Sequence, residues 1–189
     1  MSLDKMIIRY CAPALCGIKA SSMFFIKNQN FQEDIFLQWK EKLFERGFMC
    51  YAIPLSENST GILISNVCWV RKILEDPFVQ AYLREKDYHC NGLFEFVDEF
   101  SNRVNSCHGF PHEIGVILGY PIEDVIEFEN HQGRNCKYCG IWKSYSNTDD
   151  AKDFQCRYKN CCGLCERLYN EGYSLEYIIH EYRKTLIAA

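Results

Sequence analysis

The spacing of hydrophobic positions changes several times along the chain, and each change predicts an element. Residues 6–27, MIIRYCAPALCGIKASSMFFIK, begin and end in β-prone runs with a Pro/Gly/Lys/Ser segment between, which predicts strand, loop, strand. Over 31–46, Ile35, Phe36, Trp39 and Leu43 share one helical face. Asn30 and Glu33 have capping-box spacing, and Gly47 stops the helix. MCYAIPL (49–55) and GILISNV (61–67), joined by SENST, predict a hairpin.

Helical periodicity dominates from there on. Trp69–Leu74 forms one short helix and Asp76-Pro77 opens another. Leu93, Phe96, Val97, Phe100 and Val104 make a 3.6-period stripe. Residues 111–118 and 121–130 are two proline-opened helices, and a short strand follows near Ile141–Tyr145. Thr148 caps a long helix carrying Phe154, Tyr158, Cys161, Cys162, Cys165 and Leu168, and a last helix covers 174–186. No long repeat or linker interrupts the pattern. The prediction is one α+β domain over 1–189, with a small, mainly antiparallel sheet of three to five strands against about six to eight helices. Residues 131–189 are the one stretch that could form a Cys-rich subdomain. Met1-Ser2-Leu3 reads as an added leader and is left out of this reasoning.

Charge and composition narrow the function classes. With 21 basic and 25 acidic residues the formal net charge is −4, so no overall field attracts nucleic acid or anionic membrane. No apolar run is long enough for a membrane span, and the N-terminal apolar stretch is too short for a signal peptide. A cytoplasmic protein is expected. Its twelve cysteines are then reduced, and serve as core residues, metal ligands or reactive thiols.

Three constellations carry candidate chemistry. In FPHEIGVILGYP (110–121), His112-Glu113 lacks the second histidine of a zincin, because Val116 stands there. What remains is a helix opened by Pro111 and closed by Gly119, with His112 and Glu113 at its positive end. EIGVILGYPIEDVIEF also has helix-turn-helix spacing. Its second helix, however, carries Glu123, Asp124, Glu127 and Glu129 and no basic residue, which argues against nucleic acid.

The C-terminal third holds two C-x-x-C pairs, Cys136/Cys139 and Cys162/Cys165, whose four thiolates would suit zinc or iron. Against this, Cys161, Cys162 and Cys165 continue the apolar stripe of the long helix, where packed thiols are the plainer reading. A thioredoxin-type redox role is weaker, since neither pair sits clearly at a helix start after a strand.

The third constellation is CAPALCGIKASS (11–22). Gly17 followed by Lys19, Ser21 and Ser22 can present amides, an ammonium and hydroxyls to an anion. Cys11 beside Lys19, with His112 brought in by the fold, could form a thiolate nucleophile with an acid/base partner. The bland alternative is a buried thiol and a solvated lysine. The preferred reading is a small-ligand pocket between this loop and the His112–Glu113 helix start, with Trp142 and Lys143 closing it; whether it catalyses is open.

CAPALCGIKASSMF (11–24), FPHEIGVILGYPIEDV (110–125), GIWKSYS (140–146) and AKDFQCRYKNCC (151–162) together resemble a bacterial family known only as domain of unknown function 3793. The chain departs from that pattern at Ala14, Cys16 and Ser144, so a role for Cys11 is better supported than one for Cys16. The resemblance implies a bacterial, cytoplasmic protein and no particular activity, substrate or partner.

Overall fold

The computed structural model describes residues 1–89, 91–106 and 110–187. Its organising element is the strand β3 (Ser59–Asn66), in which every residue from Thr60 to Ser65 is buried. β3 lies between β1 (Ser21–Lys27) and β2 (Phe48–Ser56), antiparallel to both. A continuous apolar run such as GILIS suits a strand covered on both faces, whereas a strand with one wet face alternates.

Ile62 and Ile64 face one core, with α1 (Leu3–Leu15), α2 (Glu33–Phe44), α8 (Thr148–Asn170) and α9 (Leu175–Ile187). Leu63 faces the other, with α3 (Val67–Leu74), α4 (Pro77–Glu85), α5 (Leu93–Ser106), α6 (Ile114–Ile117) and α7 (Ile122–Asn130). A two-stranded ribbon, β4 (Tyr138–Cys139) with β5 (Lys143–Ser144), precedes α8. The chain is therefore α+β and mainly helical, as the periodicity predicted.

The largest departure lies at the N-terminus. Residues 3–15 are a helix, not a strand and loop. Leu3, Ile7, Cys11 and Leu15 fall at i, i+4, i+8 and i+12, and all four are buried. That stripe outweighs the β-propensity of Ile7-Ile8. Ser2 caps the helix by accepting from the Lys5 amide and Leu3 is fully buried, so these two residues take part in the fold. Pro13 is accommodated in the last turn, where its carbonyl accepts from the Ile18 and Lys19 amides.

Smaller corrections concern helix ends. Gln32, not Asn30, precedes α2, and Asn28–Asn30 form a 3-10 turn. Asn147, not Thr148, caps α8 by accepting from the Asp149 and Asp150 amides. The helix expected over 111–118 shortens to Ile114–Ile117, but Gly119 makes the left-handed exit at φ +77°. α8 runs unbroken through Gly163, with Cys161, Cys162 and Cys165 on its surface.

Because β3 has no solvent face, truncating it removes packing that nothing can replace. Leu63→Ala should cost about 2–5 kcal/mol in denaturant unfolding. Phe44→Ala, at a position 68% exposed, should change stability by only about 0.5 kcal/mol.

Candidate functional site

α1 ends at Leu15, and Gly17 then takes φ +76°, which L side chains rarely adopt. The turn drives Lys19 inward rather than into solvent, leaving it 7% exposed. Its ammonium lies 5.0 Å from the Tyr120 ring centroid and 5.7 Å from that of Tyr158. Among the described residues no carboxylate lies within ion-pair distance of it. Burial pulls its pKa down to about 8, and the nearby thiols of Cys11 and Cys162 only partly oppose this.

Lys19 lines a cavity of about 560 Å³ with Ser22, Tyr120, Tyr158 and Cys162. The Ser22 hydroxyl is buried and has no hydrogen-bond partner. Arg9, Lys159 and Glu166 stand at the same cavity, and Glu166 is already shared with Arg9 (3.6 Å) and Lys5 (3.8 Å). The local balance is positive.

A second cavity of about 340 Å³ adjoins it, and Phe110, Ile114, Leu118, Tyr120 and Ile141 line both. Its further walls include His112, Phe128, Trp142 and Lys143. Trp142 stacks on Tyr120 with centroids 5.1 Å apart. His112 packs edge-on to Phe128 at 4.7 Å, and Lys143 donates to the Gly133 carbonyl.

One buried carboxylate sets this wall. Asp124 accepts from the Trp142 indole (2.8 Å), the Tyr145 and Ser146 amides (2.8 and 2.9 Å) and the Ser146 hydroxyl (2.9 Å). Burial opposes its ionisation, but these donors prevail and hold its pKa below the ordinary carboxylate value. Gly140 completes the turn behind it. A Cβ there would lie 1.7 Å from Gln155 Oε1, the acceptor of the Ile141 amide.

The expected site residues thus divide. Lys19 and Ser22 line one cavity and His112, Trp142 and Lys143 its neighbour, while Lys19 and Trp142 both line a third cavity of about 840 Å³. Cys11, Ser21 and Glu113 line none of the three. Cys11 faces the core with its thiol pKa well raised by burial, and Ser21 donates to or accepts from Ser65 across the sheet at 2.9 Å. Glu113 is buried beside α6 at 8% exposure. Tyr120, Tyr158 and Asp124 were missed as site residues: Tyr158 reads as apolar stripe, Tyr120 as part of the turn between Gly119 and Pro121, and Asp124 as one of four helix carboxylates.

The expected four-thiol metal set does not gather. Cys139 is exposed, Cys136 half-buried, and Cys162 turns toward Lys19. A different group forms instead: Cys16 at the end of α1 meets Cys161 and Cys165 of α8, with all three Sγ atoms within 4.8 Å of one another. Cys16 and Cys165 are 3.6 Å apart. Buried together, the three thiols perturb one another: contacts with Cys16 and Cys161 hold the Cys165 thiol below its ordinary value, and the Cys161 thiol is raised by Cys16 and Cys165. This cluster could hold a metal ion. The other described cysteines are also free thiols. No helix among the described residues is long and apolar enough to cross a membrane.

These features define a mainly helical α+β protein with paired cavities at the seam of its two cores. The chain belongs to a family of proteins of unknown function, DUF3793, whose model matches residues 7–179. No curated protein and no solved structure matches the chain.

Two measurements check this wall and this lysine. Asp124→Ala orphans four donors and should cost roughly 2–4 kcal/mol, with a shift in Trp142 fluorescence. Lys19 should show in the pH dependence of unfolding. Its folded pKa lies below its unfolded value, so between about 8 and 10.5 the unfolded chain binds more protons and stability rises with pH. Lys19→Met should abolish that rise and be more stable than the parent at pH 7, by up to roughly 3 kcal/mol.

Proposed function

We propose that this protein binds a small organic acid in the paired cavities. Lys19 would hold the acidic group and the Tyr120–Trp142 stack would flank an apolar body. The supporting observation is the Lys19 ammonium, 7% exposed and, among the described residues, without a carboxylate partner. A buried ammonium left unpaired is costly. A ligand carboxylate or phosphate would supply the missing charge and give the Ser22 hydroxyl something to donate to. The excess of Arg9, Lys19 and Lys159 over Glu166 at the mouth favours the same ligand class.

The thiol-nucleophile version of this pocket is less well supported, because Cys11 is fully buried and lines neither cavity. Zinc held by Cys136, Cys139, Cys162 and Cys165 likewise lacks a converged donor set. Binding through a helix-turn-helix is opposed by α7, whose charged residues are all acidic, with Asp124 buried in packing and Glu129 paired with Lys86. Free thiols throughout the described residues support a reducing, cytoplasmic setting. The shared packing of α1 with α8 and α9 supports a single domain over a separate C-terminal one.

The test is a thermal-shift and calorimetric screen of aromatic and aliphatic carboxylates and phosphates, each paired with its neutral ester or amide. The acids should raise the melting temperature and the neutral partners should not. A ligand at 100 times its Kd stabilises by about 2.7 kcal/mol. Lys19→Met should lose the response while keeping its fold. Equal binding by Lys19→Met, or neutral analogues binding as well as acids, would sink the reading.

A further inference from the structure

Where the end of α1 meets α8, the fold assembles three thiols that the ligand reading does not use. Cys16 sits one residue past the end of α1, and Cys161 and Cys165 are one helical turn apart on α8. They are 2%, 0% and 1% exposed. A d10 ion about 2.3 Å from each sulfur would place the sulfurs roughly 3.8–4.0 Å apart. The observed spacing, from 3.6 Å to within 4.8 Å, brackets that range.

We propose that Cys16, Cys161 and Cys165 form a three-coordinate site for a soft monovalent d10 ion of the Cu(I) type. The donor chemistry favours this class over zinc. Thiolates suit both, but structural zinc is almost always four-coordinate. Among the described residues no histidine or carboxylate joins the group, and sulfurs this buried leave no place for a water ligand. The surroundings suit an anionic centre. The Arg183 guanidinium lies beside Gly17, next to Cys16, and Tyr182 packs in the same core as the three thiols. On loading, each thiol proton leaves to solvent as its sulfur takes the metal, with no change of oxidation state.

The experiment is anaerobic titration of the full chain with Cu(I), in competition with a Cu(I)-selective chelator. One equivalent should be retained, with a thiolate-to-copper charge-transfer band in the ultraviolet. Alkylation followed by mass spectrometry should find Cys16, Cys161 and Cys165 newly protected. Cys161→Ser should weaken retention by on the order of 100-fold at unchanged far-ultraviolet dichroism. Should that variant fail to fold, Cys16→Ala and the alkylation map give the same answer. Cys68→Ser, at an exposed thiol, and Lys19→Met should leave copper binding unchanged, which separates this site from the ligand pocket. Protection of other thiols would overturn the assignment. So would a Cys16–Cys165 disulfide in place of bound metal, or zinc held more tightly than Cu(I) at these three positions.

Discussion

The two-sided burial of β3 is the constraint from which the architecture follows. A three-stranded sheet with one wet face needs helices on one side only. A strand with six consecutive buried residues needs them on both. α1, α2, α8 and α9 therefore cover one face and α3 to α7 the other. These two layers meet where α1 hands over to β1 and where α6 hands over to α7. Each handover is a tight turn with a left-handed glycine, Gly17 at φ +76° and Gly119 at φ +77°. A Cβ on Gly119 would lie 3.3 Å from the Cβ of Ala20, so the two turns touch.

The cavities lie at that seam, and their polar groups are fixed by backbone rather than by reach. Gly17 and the Pro13 carbonyl determine where Lys19 enters the interior. Asp124 ties α7 to the β5 segment and so sets the position of Trp142, which stacks on Tyr120, one of the residues shared by both cavities. A buried cation and a buried anion are thus handled in opposite ways within one seam. Asp124 has four donors and is satisfied; Lys19 has two aromatic rings and no anion. Cation–π contacts recover on the order of 1–2 kcal/mol when desolvated, less than a lysine loses on leaving water. The imbalance is local, and it sets Lys19 apart from Asp124, a buried charge of the same seam.

Much of the fold was legible in the sequence because long helices and a hairpin announce themselves by period. The stripe of α5, the β2–β3 pair and the unbroken α8 are all local patterns. α1 was misread because Ile7-Ile8 and Phe24-Phe25-Ile26 look alike by composition, although only the first pair belongs to a three-four spaced stripe. Of the site, Lys19, Ser22, His112, Trp142 and Lys143 could be named from chemistry and spacing. Tyr158 could not, because an aromatic in an apolar stripe carries no sign of whether it faces core or cavity, and Tyr120, in the turn between Gly119 and Pro121, has no periodic neighbours to orient it. The convergence of Cys16 with Cys161 and Cys165 spans some 150 positions and leaves no local spacing to read.

α8 shows why cysteine spacing misled where periodicity did not. Successive helical residues point about 100° apart, so Cys161 and Cys162 face different neighbours. Cys161 and Cys165, one turn apart, face α1 and meet Cys16; Tyr158 and Cys162, also one turn apart, face the Lys19 cavity. A C-x-x-C read along the sequence pairs Cys162 with Cys165, across this divide. The same helix therefore walls both the thiol cluster and the ligand cavity, with α1 opposite it in each case. Packing that fixes α8 against α1 at Cys16 also sets where Tyr158 stands opposite Lys19. The seam that positions the lysine and the packing that gathers the thiols share this one helix pair.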